Sequence, residues 1–404
     1  MIPMTDEQSA AWLCGFIDGE GSFSLKPKSF SPRFVINLHI DCLDTLMRIK
    51  ELLKGIGNIT ITGDGRYCTY TIGKLTDITT ILIPYLQTHG LFTTKALDFN
   101  DFVTAAGILA NARLHGKTAS DRARLQVLKD RMNTGRTDYT AQVWPTTVGM
   151  YWLLGFFEGE GTAGVRAGHP YLQIAQHARS LPVLLAIQKT LEGLGMSCTV
   201  TPGALAPTYT LTLNKETNVY TLATSGIDAM YGFLLIPMLS MPFVTRKYID
   251  VLLWAVVLIM FKFGTAYLPA GKSLIAMISA YMNNGRYSNN PVSVVVPTLD
   301  LIASVLALPP LVIRLPSMSQ HEYSKLHAQG VKVKQVYVYE NGSLLGQYNS
   351  YADAQTALGI SRTSRAVGRY IDTGNAYSPP GKTNQYIFTS TKIDDLVIHS
   401  NHSI

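Results

Sequence analysis

The chain has 404 residues, 47% hydrophobic and 15% charged, enough to bury a large core over two or three domains and far from the composition of a disordered polyelectrolyte. Lys and Arg number 34 against 27 Asp and Glu, a formal charge of +7 that suits a polyanionic partner. The cysteines, Cys14, Cys42, Cys68 and Cys198, show neither close pairs nor metal-type spacing, and MIPMTDEQSA at the N-terminus lacks the basic-then-apolar pattern of a signal peptide.

In chain order, the first predicted element is an apolar helix in AWLCGFIDGEGS (11–22) that ends in Gly-acid-Gly. Strand-like SFSLKPK and PRFVINLHI follow, then helical DTLMRIKELLKGIG, strand-like NITIT and YCTYTIG, and a long helix ending near Gly90. After TTKALDF (93–99), HGKT (115–118) and MNTGR (132–136), a Thr- and Pro-containing segment around 136–147 reads as a linker.

The series then starts again. YWLLGFFEGEGT (151–162) repeats the first helix, and GTAGVRAG, PYLQIAQHA, SLPVLLAIQKTLEGLG, SCTVT and YTLTLN repeat its successors, with a long helical stretch through Leu239. TRKYIDV (245–251), AGKS (270–273) and MNNGR (282–286) complete the second series, with Lys247 and Asp250 mirroring Lys95 and Asp98. Preserved order implies duplication, and hence a two-lobed, pseudo-symmetric α+β molecule. AGKS and HGKT are not phosphate-binding loops, because Ala266 and Asn111 stand where that loop needs its first glycine. VLLWAVVLIMF (251–261), bounded by Asp250 and Lys262, is too short to span a bilayer and reads as a core helix.

Alternation gives each lobe's strands a core face and a polar face. The polar face carries Ser24, Lys26, Lys28, Arg33, Asn37, His39, Asn58, Thr60, Thr62, Arg66, Tyr67, Thr69 and Thr71 in the first lobe, and Arg166, Gln173, Ser197, Thr199, Thr201, Thr208, Thr210 and Thr212 in the second. A ribbon of cationic and short hydrogen-bonding groups is what reading base edges in a major groove requires.

Gly15 and Gly19, like Gly155 and Gly159, lie on one helix face and let two helices approach closely. Glu20 and Glu160 would then meet at the C-terminal ends of the pair, where the helix dipoles disfavour acids. A divalent cation reverses the sign, with the carbonyls of Gly19 and Gly159 as further ligands. Gly21 and Gly161 are expected to end the helices in left-handed conformation.

These copies, LCGFIDGEG (13–21) and LLGFFEGEG (153–161), resemble the paired motif of the LAGLIDADG homing endonucleases and intron maturases, with similarity over roughly 8–290. The resemblance implies a single-chain pair of αββαββα lobes, a saddle of antiparallel sheets seated as a monomer on double-stranded DNA, without membrane contact. It implies staggered double-strand hydrolysis, with Glu20 and Glu160 holding Mg²⁺, for which Mn²⁺ substitutes. Lys95 and Lys247 would border the catalytic centre, and Gln176 would order water, whereas its first-lobe equivalent is Leu38, which raises the question of unequal strand rates. Asp18 and Glu158 are expected to serve helix-end packing. Family habit points to an intron-encoded mitochondrial protein. The alternatives are a maturase that binds group I intron RNA and a DNA-binding protein without catalysis.

Past Arg286, a mixed connection leads to a module from about Val333. KQVYVYENGSLLGQYNS reads as a hairpin turning at 340–342, SYADAQTALGISRTSRAVGRYIDTG as a helix-turn-helix carrying Arg362, Arg365 and Arg369, and QYIFTS as a strand. The module resembles the modular DNA-binding repeat appended to homing nucleases. The expected division is 1–138 and 139–295 for the lobes, 296–332 for the connection and 333–404 for the module.

Overall fold

The computed structural model of the chain describes residues 4–196, 209–283, 295–312, 314, 318–330, 336–348, 350–361, 364–379, 384–390 and 392–393, which fall in two compact units, 1–310 and 311–404. The first helix, α1 (Asp6–Glu20), starts at Thr5, whose hydroxyl accepts from Gln8 N while the Gln8 side chain accepts from Thr5 N. From Ala10 to Ile17 it is apolar on almost every side, so it must run through the interior, and Trp12, Leu13, Cys14 and Ile17 are fully enclosed. It is followed by β1 (Gly21–Leu25), β2 (Pro32–His39), α2 (Leu43–Leu52), β3 (Asn58–Ile61) and β4 (Tyr67–Ile72). A helical run of α3 (Leu75–Asp77), a π turn (Ile78–Leu82) and α4 (Ile83–His89) leads to α5 (Lys95–His115) and α6 (Ala119–Arg131).

The second half repeats this plan. It contains α7 (Met150–Glu160), β5 (Gly161–Arg166), β6 (His169–His177), α8 (Leu181–Gly193), β7 (Thr210–Asn214) and β8 (Val219–Thr224). Then come α9 (Ile227–Ala229), a second π turn (Met230–Leu234), α10 (Leu235–Ser240), α11 (Lys247–Phe263), α12 (Pro269–Tyr281) and α13 (Leu299–Leu306). The sheets are antiparallel and have equivalent orders, β1-β2-β4-β3 and β5-β6-β8-β7. Register agrees too, with Gly21 opposite Ile36 and Gly161 opposite Ile174. The α+β fold of two antiparallel-sheet lobes expected from the sequence is thus the fold observed.

Phe23, Phe34, Ile36, Tyr70 and Ile72 turn one face of the first sheet into the core, against Phe99 and Phe102 of α5. The repeated Met-Asn segments have a shared structural task. Asn133 and Asn283 both take positive φ (53° and 52°), and their amides donate to Phe23 O and Ala163 O at 2.8 and 3.0 Å, pinning the C-terminal part of each lobe to its first strand.

The lobes join through α1 and α7. A Cβ on Gly15 would lie 2.0 Å from Trp152 O, and one on Gly155 1.9 Å from Trp12 O, so only glycine permits this backbone contact. Gly21 and Gly161 depart from expectation, because both are extended (φ −71° and −77°) rather than left-handed. Their lack of a side chain matters because the chain turns back on itself, where an added Cβ would meet Ile17 Cγ2 at 2.7 Å or Phe157 Cδ2 at 2.1 Å.

The 251–261 run lies inside α11, with Trp254 and Leu258 fully buried, and among the described residues no helix is long and apolar enough to cross a membrane. The SCTVT strand, with Cys198, lies outside the described residues; Cys14, Cys42 and Cys68 are free thiols.

The second unit contains α14 (Gln320–Gly330), β9 (Val336–Glu340), β10 (Ser343–Tyr348), α15 (Tyr351–Ala357), α16 (Ala366–Tyr370) and β11 (Tyr386–Thr389). The β9–β10 turn is Asn341-Gly342, both at positive φ (50° and 87°), as a tight hairpin requires. A three-stranded antiparallel sheet, β10-β9-β11, shares a core of Val336, Val338 and Phe388 with Ala354, Leu358 and Val367 of the helical segment.

Candidate active site and nucleic-acid interface

Placing acids at the C-terminal ends of two helices is unfavourable in isolation, and the surrounding residues compensate for it. Asp18, 2% exposed, accepts from Phe92 N at 2.7 Å, Thr93 N at 3.0 Å and Thr93 Oγ1 at 2.5 Å. Glu158 accepts from Val244 N at 2.9 Å and Thr245 N at 2.5 Å. Each acid therefore sits at the end of its own helix but just ahead of the next long one, α5 or α11, where free N–H groups favour a carboxylate. Burial pushes both carboxyls above the ordinary range, and these hydrogen bonds oppose the shift.

The first residue of each long helix is a lysine. Lys95 Nζ donates to Ile17 O at 3.3 Å and to Gly19 O. Lys247 Nζ donates to Phe157 O at 3.0 Å, Gly159 O at 3.5 Å and Gly161 O. Each ammonium caps the C-terminal carbonyls of the motif helix, supplying the positive charge that end favours. Burial lowers both lysine pKa values, and the surrounding carboxylates partly restore them.

Glu20 and Glu160 meet where the helices end. A Cβ on Gly19 would lie 3.1 Å from Gly159 Cα and 3.4 Å from Glu160 Cγ, and the reverse contacts match. Burial raises the Glu20 pKa, repulsion from Glu160 raises it further, and Lys95 and Lys247 oppose both effects. Glu160 is raised by burial and restrained by Lys95, by a hydrogen bond from Gln176 and by Lys247. Leu38 pairs with Cys68 just as Gln176 pairs with Tyr220, so Glu20 has an apolar residue where Glu160 has an amide.

The structure gathers Glu20, Glu160, Lys95, Lys247, Gly19, Gly159 and Gln176 at one junction. The acids offer carboxylate oxygens, and among the described residues no third His, Cys, Asp or Glu joins them as a metal-type cluster. Two carboxylates and helix-end carbonyls, with coordination left for water and phosphate, fit a hard divalent ion such as Mg²⁺. The carbonyls of Gly19 and Gly159 already accept from the lysines, a contact between residues more than 70 positions apart that no local pattern signals.

Ser24, Arg33, Asn37, His39, Thr60, Thr69 and Thr71 share the open face of the first sheet, linked in part by Thr69 Oγ1 to Asn37 Oδ1 at 2.8 Å and Arg33 Nη2 to Thr71 Oγ1 at 3.4 Å. Lys26 and Lys28 lie in the β1–β2 turn, and Thr62 and Arg66 in the β3–β4 turn, where Asp64 binds Arg66 at 2.9 Å. Tyr67 is exposed beside Arg66. Burial, then Arg246 and Arg66, hold His39 below its ordinary pKa. On the second sheet, Arg166 donates to Gln173 at 3.0 Å and lies 4.4 Å over the Tyr171 ring, while Thr210 and Thr212 are exposed. Thr199, Thr201 and Arg362 lie outside the described residues, and Arg365 and Arg369 are exposed on the second unit.

Sequence reasoning missed an ion pair between Arg246 and Asp41 that joins the two lobes, and two tryptophans, Trp12 and Trp152, each bonded to the other lobe's buried acid. The tryptophans were visible as repeated residues, but only packing reveals their partners.

The class defined by fold and site is a duplicated two-sheet domain with one acid pair at the junction of its lobes. A family model described as LAGLIDADG endonuclease matches residues 13–106. The uncharacterized mitochondrial protein RF1 of Saccharomyces cerevisiae is 24% identical over 414 residues, covering 95% of this chain and 82% of that protein. Probable intron-encoded endonuclease 3 of Neurospora crassa is 30% identical over 175 residues, 38% of this chain and 32% of that protein. The I-SmaMI LAGLIDADG homing endonuclease bound to cleaved DNA shares the fold, with TM-score 0.57 and 20% identity over 69% of this chain and 97% of its own. I-SmaMI has also been solved on an uncleaved DNA target in the presence of calcium ions.

Proposed function

We propose that this protein is a site-specific DNA endonuclease that makes a metal-dependent, staggered double-strand cut in a long target, and that it is intron-encoded and mitochondrial. The observation that carries this reading is the junction of Glu20 and Glu160 between two buried lysines, an acid pair whose repulsion a divalent cation would relieve. Support also comes from the family match, from the DNA-bound relative in fold, and from a yeast relative named as mitochondrial.

Glu20 and Glu160 would hold the ion, with the carbonyls of Gly19 and Gly159 beside them. A bound Mg²⁺ lowers the pKa of water and offsets charge on a scissile phosphate. Lys95 and Lys247 supply positive charge at the same junction, where it would stabilise charge developing on that phosphate. Gln176 would orient water beside Glu160. The open faces of the two sheets, 1–138 and 139–295 in our division, would read base edges, and Arg365 and Arg369 of the module from 333 onward would add phosphate contacts.

The test is cleavage selection on a randomised duplex library with Mg²⁺, beside a Glu20→Gln/Glu160→Gln variant and an EDTA control. We expect one discrete long site with 3′ overhangs, lost in both controls. A folded chain that cuts nothing with any divalent ion but assists intron splicing would replace this reading with a maturase.

A further inference from the structure

Each buried acid has a third partner residue that its role at the helix end does not require. Trp152 Nε1 donates to Asp18 Oδ2 at 3.1 Å, and Trp12 Nε1 donates to Glu158 Oε2 at 2.5 Å. Both bonds cross between lobes, and all four residues are at most 4% exposed. The same acids organise the residue two places before each lysine. Thr93 Oγ1 donates to Asp18 and accepts from Lys95 N at 3.2 Å, and Thr245 Oγ1 accepts from Lys247 N at 3.2 Å beside Glu158. A chain of hydrogen bonds thus runs from Trp152 through Asp18 and Thr93 to Lys95, and another from Trp12 through Glu158 and Thr245 to Lys247.

We propose that Trp12 and Trp152 are positioning residues, each fixing the active-site lysine that ends the chain of bonds in the opposite lobe, so that neither half of the junction is complete until the lobes dock. Each ring is already held by its own helix, Trp12 stacked on Phe16 at 5.2 Å and Trp152 on Phe156 at 4.8 Å. The stack keeps the indole in place, and the N–H adds direction to the acid. With the N–H removed, the acid keeps its backbone donors but loses the one that ties it to the other lobe. A bond to a charged, buried acceptor is among the stronger of its kind.

The proposal rests on the lysines belonging to the site, and its test has a readout independent of cleavage. Trp12→Phe and Trp152→Phe keep the aromatic stack and delete the N–H. In the folded full-length protein, trace acetylation read by mass spectrometry reports how accessible each lysine is. We expect Trp12→Phe to raise labelling of Lys247 about tenfold, the loss expected for one hydrogen bond to a charged group, with Lys95 unchanged, and Trp152→Phe to do the reverse. Loosening of the whole interface would raise both lysines together in either variant, and that result, or no change at either, would overturn the proposal. Should Trp12→Phe fail to fold, Thr245→Val breaks the same chain away from the lobe contact and must likewise free Lys247 alone. On a duplex labelled separately on each strand, each Trp variant should slow one strand more than the other. An unmodified protein that cuts neither strand would count against the endonuclease reading and leave the labelling result to decide this one.

Discussion

At the scale of single residues, the junction stores unfavourable charge. Burial and mutual repulsion raise the folded-state pKa of Glu20, and burial raises that of Glu160. Between the ordinary glutamate value and these raised values, the folded state holds more protons than the unfolded chain. Stability of the metal-free protein therefore falls as pH rises through that window. The buried lysines act in the opposite sense at alkaline pH, because their lowered pKa values let the folded state lose protons first, so stability recovers there. Thermal unfolding against pH in EDTA should show the fall, and Glu20→Gln/Glu160→Gln should reduce it to the part contributed by the other buried carboxyls, Asp18 and Glu158, and melt higher at neutral pH. Adding Mg²⁺ should raise the midpoint of the native protein and leave the double variant unmoved. Activity should require both acids ionised, so protons and Mg²⁺ should compete for the pair, and the acid limb of the cleavage profile should move to lower pH as Mg²⁺ is raised. Much of this was readable beforehand, because two glutamates repeat at misplaced helix ends. The role of Asp18 and Glu158 was readable only as packing, since the residues they hold, 92–93 and 244–245, lie far along the chain.

Among the elements, the α1–α7 contact is the most exacting. Gly15→Ala would drive a methyl group into Trp152 O, a backbone atom that cannot rotate away, and should cost about 3 kcal/mol, the upper end of overpacking penalties. Gly107 in α5 is exposed with open space around its added Cβ, so Gly107→Ala should instead stabilise by about 0.5–1 kcal/mol through helix propensity. Urea unfolding of the two variants checks the contrast. Spacing four apart made the helix contact legible in the sequence, whereas the extended backbone at Gly21 and Gly161 was not, since a glycine after a helix usually signals a left-handed turn. The strand faces were legible from alternation, but the pairing of Arg166 with Gln173 and Tyr171 needed the register of β5 against β6.

For the molecule as a whole, duplication gave two halves that have since diverged. The sheets keep one order and one register, yet Glu160 has Gln176 beside it and Glu20 has Leu38 in the matching place. On the proposed chemistry, the two strands of a target should be cut at unequal rates. Gln176→Leu should slow one strand roughly 10²-fold, the lower end of effects for removing one preorganised polar group, with the other strand changed little; separately labelled strands in a quench series would measure it.

The glycine contact also has a consequence for how the chain is made. Strand pairings and helix packing within the first half join residues that are all synthesised before α7, but the backbone meeting of Gly15 with Trp152 cannot form until the second motif has left the ribosome. During that interval, the side of α1 destined for α7 is bare, a large apolar surface on a nascent half-protein. Translation speed through the 136–147 linker, and the holdase chaperones that meet emerging chains, thereby become determinants of yield for this fold.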